Sequence, residues 1–72
     1  MGLDSVGSNS DADRIAERLG FRGGSHQLKA DYIRSKDTSK YDMKYDKSTR
    51  EIILVRKDGS APPVGTGLIM PN

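Results

Sequence analysis

The run Ile52-Ile53-Leu54-Val55 is the longest apolar stretch of the chain, and it limits what the chain can fold into. Four aliphatic residues bounded by Glu51 and by Arg56-Lys57 read as a short strand covered on both faces. Just before it, Tyr41, Met43 and Tyr45 alternate with Lys40, Asp42, Lys44 and Asp46, the period of a strand with one apolar and one wet face. Lys47, Ser48 and Thr49 supply a polar connection. Lys40 to Lys57 are therefore expected to form one β-hairpin, with the return strand at the centre of a sheet and a cationic surface on an apolar back.

The rest of the chain is read around that hairpin. Residues 1–9 contain Gly and Ser with little to bury, and read as a mobile lead-in. Ser10, with Asp13 three residues on, approximates a capping box, and Ala12, Ile15, Ala16 and Leu19 follow at the spacing of one helical face. Gly20 ends that helix and Phe21 closes over the core. Ser25 is the expected N-cap of a second helix running from His26 to about Arg34, with Leu28, Tyr32 and Ile33 facing inward. Residues 35–39 form a polar connection into the hairpin. Beyond it, Asp58-Gly59 signals a turn, Pro62-Pro63 forbids a regular central strand, and Val64 to Met70 supply a last short strand. The expected fold is a single α+β domain over residues 10–72, with two N-terminal helices on one face of a small antiparallel sheet of about three strands.

Composition excludes several kinds of chemistry. Among 72 residues there is no cysteine and one histidine, so neither a disulfide, a thiolate metal site nor a familiar zinc centre can be assembled. No metal and no cofactor is expected. A four-residue apolar run cannot span a membrane, and the amino terminus lacks the basic and apolar regions of a signal peptide. The net charge is only +2, but residues 26–57 carry nine basic and five acidic side chains, a local excess of +4. Together with a pI near 9.1, this favours a polyanionic partner, although a merely solvated basic face is about as good an account.

His26 is the one side chain that titrates near neutrality unaided, and it falls in the first turn of a helix beside Gly23-Gly24-Ser25. Backbone N–H groups at such a turn favour an anion, and the helix dipole keeps an imidazole there neutral and able to accept a proton. Lys29 lies three residues on, on the same side of the helix. A base and a cation beside an anion-binding turn suit a phosphodiester. Metal-free cleavage of RNA needs a base for the 2′-hydroxyl, donors or cations for the phosphorane and an acid for the 5′-oxygen. His26 and Lys29 are candidates for these roles. Lys40, Lys44, Arg50 and Arg56 on the hairpin are candidate substrate contacts, Asp42 is a candidate to orient a cation or ring nitrogen, and Thr66, between two glycines, is a candidate phosphate donor. Each has a plainer alternative: a surface histidine, a cross-strand ion pair at Asp42, an irregular strand at Gly-Thr-Gly.

ADRIAERLGF, SHQLKADYI, SKYDMKYDKSTREIILVRKDG and PVGTG, in this order and at this compact spacing, resemble the small polymorphic toxin domains called toxin type 33. The matching motif positions are His26, Leu28 and Lys29; Ser39 and Asp42; Lys47, Thr49, Glu51 and Ile52; and Thr66. Arg50 stands where the family's hairpin has Gly, and Val64-Gly65 separates Pro63 from Thr66. The resemblance covers residues 11–68. It implies a metal-independent endoribonuclease of the colicin, barnase and RelE-like superfold, acting on RNA, possible tRNA included, with Ser39 among the substrate contacts.

Gly2-Leu3 also resembles the end of the motif that closes the core of rearrangement-hotspot effectors before their toxic tip. The implied setting is a domain exported at the tip of a larger bacterial effector and acting in the cytoplasm of the target bacterium. The implied partner is a cognate acidic immunity protein covering residues 26–57, the domain being otherwise monomeric. A non-catalytic nucleic-acid-binding module and a protein-interaction domain are the alternative classes.

Overall fold

A computed structural model describes residues 2–33 and 37–71. The chain runs β1 (Leu3–Ser5), α1 (Asn9–Arg18), α2 (Ser25–Tyr32), a single 3₁₀ turn (Thr38–Lys40), β2 (Tyr41–Asp46), β3 (Glu51–Arg56) and β4 (Val64–Ile69). The strands form one antiparallel sheet in the order β1-β2-β3-β4. Arg34, the expected end of the second helix, and Ser35 and Lys36 of the connection lie outside the described residues.

The expected hairpin is present, with Met43 opposite Leu54 and Tyr45 opposite Ile52. These residues and Tyr41 face the helices: Ala12, Ala16, Leu28, Ile33, Tyr41, Met43, Ile52 and Leu54 form the buried core. Covering both faces of β3 is not achieved. Ile53 and Val55 remain half-exposed because both helices pack on the other side, leaving one face of the sheet open.

The helix starts differ from expectation in a connected way. At the start of α1, Ser-x-x-Asp occurs in two overlapping copies, at Ser8/Asp11 and at Ser10/Asp13, and α1 uses the earlier one. The Ser8 hydroxyl accepts from the Asp11 N–H at 3.3 Å, and the Asp11 carboxylate accepts from the Ser8 N–H at 3.0 Å. Asp13, released from capping its own helix, caps the next one: it accepts the Ser25 N–H at 2.9 Å and the Ser25 hydroxyl at 2.6 Å. Ser25 is therefore the first residue of α2, and Gly24, buried at φ +77°, is its N-cap. The end of α1 is as expected. Phe21 N–H donates to Ala16 O and Gly20 N–H to Glu17 O, the paired bonds of a Schellman motif around Gly20 at φ +100°.

Two further features were not anticipated. Leu3–Ser5, expected to be part of a mobile lead-in, pair with Asp46–Lys44 as a fourth strand, and Val6 packs against the core. A three-residue strand of mixed character carries no readable alternation; its pairing is a backbone property. In the hairpin connection, Arg50 adopts φ +65°, the left-handed conformation in which a glycine would be at ease. Its N–H donates to Asp46 O at 2.7 Å.

Candidate functional site

Strand β1 stops opposite Lys44, so the edge of β2 beyond it is left for other groups to cover. A recess of about 130 Å³ opens there, between the β1–α1 connection, Ser25 and Lys29 of α2, and Asp42, Met43 and Lys44 of β2. Small-molecule sites commonly measure about 300–1,000 Å³, so this one fits a single compact polar group, not a whole nucleotide.

Lys29 is half-buried at its wall. Burial, then repulsion from Lys57, holds its ammonium below the usual lysine pKa, against the opposing pull of Asp42 and Asp13. Lys57 reaches Asp42 at 3.9 Å, with both side chains about half-exposed. Lys44 lines the same recess. Among the described residues no carboxylate forms an ion pair with Lys29 or Lys44. Lys29 and Lys57 thus both act on Asp42, and Lys44 lines the recess beside it.

The expected site residues divide accordingly. Lys29, Asp42 and Lys44 come together. His26 is exposed in the first turn of α2 and is not part of the recess lining, although Ser25 before it is. The free N–H groups expected at that turn are occupied by the protein itself: Ser25 N–H by Asp13, Gly23 N–H by Gln27 Oε1 at 2.6 Å and Gly24 N–H by Phe21 O. An external anion would have to displace a carboxylate already in place. Hydrogen bonds from the Ser25 hydroxyl and N–H hold the Asp13 pKa down, which keeps that carboxylate charged.

Thr66 is committed elsewhere. Its hydroxyl donates to Ile52 O at 2.7 Å and accepts from Leu68 N–H at 3.1 Å, bracing the bulge where β4 slips against Glu51 and Ile53. It stands on β4, with β3 between it and Asp42. Arg56 donates to Asp58 at 3.0 Å and to Asp37 at 3.3 Å, and its guanidinium lies 5.8 Å from the Tyr41 ring centroid. Lys40 is exposed and 3.7 Å from Asp37, and Ser39 is exposed in the 3₁₀ turn. Arg50, also exposed, donates to Pro71 O at 3.4 Å.

No family model, curated protein or solved structure matches the chain.

What sequence reasoning missed is the contribution of the lead-in and of Lys57. Ser5 to Asn9 build one wall of the recess, mostly through backbone and small side chains. Lys57, one residue beyond β3, carried a signal that was available: it falls on the same side of the hairpin as Asp42, whose partner in register is Val55. Among the described residues, no three His, Asp or Glu side chains are grouped so as to hold a metal ion.

Proposed function

We propose that this domain is a metal-independent endoribonuclease of the colicin, barnase and RelE-like superfold, and that it cleaves RNA at the recess beside Lys29. The observation that carries this reading is the grouping of Lys29 and Lys44 in the lining of one recess with Asp42, which Lys57 reaches from just beyond β3, against two carboxylates, Asp42 and Asp13, that act on Lys29. Such an excess of positive charge suits a backbone phosphate, and a lysine with lowered pKa is a suitable proton-transfer group.

In the proposed mechanism Lys29, in its unprotonated form, takes the proton of a ribose 2′-hydroxyl. The 2′-oxygen attacks the adjacent phosphorus, while Lys44 and Lys57 stabilise the added charge on the phosphorane. The 5′-oxygen leaves with a proton, for which His26 is available on the turn next to Ser25, and a 2′,3′-cyclic phosphate remains. Asp42 holds Lys57 in place through their 3.9 Å ion pair. Within this reading the domain is the toxic tip of an exported bacterial effector, neutralised in its own cell by an acidic immunity protein that covers the basic surface.

Incubation of the purified domain with total RNA and with single tRNAs in EDTA tests the reading. Cleavage leaving 2′,3′-cyclic phosphate ends is expected. Binding without cleavage would reduce the domain to a nucleic-acid-binding module, and neither outcome would move it to the class of protein-interaction domains.

A further inference from the structure

The recess also has the parts of a different reaction. An amine reacts with a carbonyl compound when it is unprotonated and held in place, and proteins obtain such amines by desolvation or by a neighbouring cation. Lys29 lines the recess half-buried and feels the charge of Lys57. Asp42 lines the same recess from β2, where a carboxylate can shuttle a proton, and Lys44 lines it as a second cation.

We propose that the Lys29 amine forms an imine with aldehydes that carry a phosphate group, the phosphate being held by Lys44 and Lys57. The Lys29 nitrogen adds to the carbonyl carbon, giving a carbinolamine once the nitrogen's proton passes through Asp42 to the oxygen. The C–O bond then breaks, the oxygen leaves as water, and a C=N bond remains. Nothing is oxidised or reduced, and hydrolysis restores the amine.

Half-burial and the Lys57 charge lower the proton affinity of this one amine, while Asp42 and Asp13 act the other way. Lys40, at 59% side-chain exposure, is an exposed control that keeps Asp37 as its neighbour. The volume of about 130 Å³ admits a phosphate or a small aldehyde carbon, with any larger ring left at the mouth. The inference stands whether or not the domain cleaves RNA, because it needs only the recess.

The test uses pyridoxal 5′-phosphate as the free aldehyde and a single-stranded oligonucleotide with one abasic site as the chain-borne aldehyde. Each is trapped with cyanoborohydride and mapped by peptide mass spectrometry. Pyridoxal without phosphate serves as the contrast. One adduct per chain on Lys29 is expected, formed several-fold faster with pyridoxal 5′-phosphate than with pyridoxal, and absent in Lys29→Arg. Lys44→Ala and Lys57→Ala should remove the advantage of the phosphate. Trapping by one aldehyde and not the other identifies the source. Labels spread over Lys40, Lys44, Lys47 and Lys57 according to exposure, or undiminished in a folded Lys29→Arg protein, overturn the proposal.

Discussion

Arg56 and Lys57 are chain neighbours at the end of β3, yet they meet opposite environments. The Arg56 side chain is 17% exposed and is shared between Asp37, Asp58 and the Tyr41 ring, whereas Lys57 is 55% exposed and competes with Lys29 for Asp42. In the first cluster two cations, Arg56 and Lys40, share two carboxylates; in the second, Lys57 and Lys29 both act on Asp42 while Lys44 lines the recess beside it, and Asp13 is the other carboxylate that Lys29 feels. A count of basic residues treats the two positions alike. Their pairing separates them: charge already balanced by the fold has little left for a ligand, and unbalanced charge held at a recess has much.

The largest effect that would break this contrast is on turnover. Lys29→Ala should lower RNA cleavage by a factor of about 10² to 10⁴, the usual loss when an acid or base is removed, with a near-normal melting temperature. Arg56→Ala should do the reverse, lowering the melting temperature while RNA affinity and its salt dependence stay as they were. If Arg56→Ala proves the more damaging to cleavage, the division between a structural and a functional cluster is wrong.

Next in size is the backbone that presents Lys29. Gly24 sits at φ +77°, and a Cβ there would come within 2.9 Å of Asp13 Oδ1. Gly24→Ala should therefore cost about 1–3 kcal/mol, a typical price for backbone strain at such a position, readable as a lower urea midpoint. An unchanged midpoint would mean that α2 starts without the Asp13 cap.

Smaller again is the effect of single lysines in the recess lining, Lys44, and beside it, Lys57. Lys44→Ala and Lys57→Ala should each reduce the slope of log affinity against log salt by about 0.7–0.9, the equivalent of one phosphate contact, and Arg50→Ala by less. Equal effects at Lys44, Lys57 and Arg50 would dissolve the recess into a diffuse basic surface.

Acid should loosen the helix pair gradually. Asp13, bonded by Ser25, and Asp11, bonded by Ser8, both have pKa values lowered in the fold. A lowered folded pKa means that the unfolded chain binds more protons, so stability from these groups is complete above about pH 4 and disappears as pH falls through their folded values. In thermal melts below about pH 4, Asp13→Asn should flatten the decline; an unaltered acid limb would show that the Ser25 contact contributes little.

The smallest change in stability is expected at His26. His26→Ala should alter it by no more than about 0.5 kcal/mol, as is usual for an exposed side chain. Its effect on cleavage sharpens the mechanism: normal RNA binding with lost turnover would assign a proton transfer to His26, and full activity would leave that task to Lys29 and solvent.

The hairpin, the inward faces of both helices and the Gly20 stop were legible in the sequence because each rests on local pattern: alternation, helical spacing, a residue with special backbone freedom. β1 was not, since three residues paired through backbone leave no trace in side-chain type. Of the site, Lys29, Asp42 and Lys44 were legible as residues worth weighing. That Thr66 would brace a bulge and Arg56 would be shared by two aspartates depends on which strands lie side by side, and sequence spacing does not contain that. The choice between two Ser-x-x-Asp boxes could not be made locally either, because what decides it is the use that α2 makes of the second.

That borrowed carboxylate joins the fates of the two helices. Eight residues are too few for α2 to persist alone in water, and its opening turn is held by a side chain rooted in the middle of α1. Fraying of α1 past Asp13 therefore removes the brace at Ser25 and slackens the recess wall at the same moment. The helices should open and close as one cooperative unit, distinct from the sheet, and the site is only as persistent as that unit.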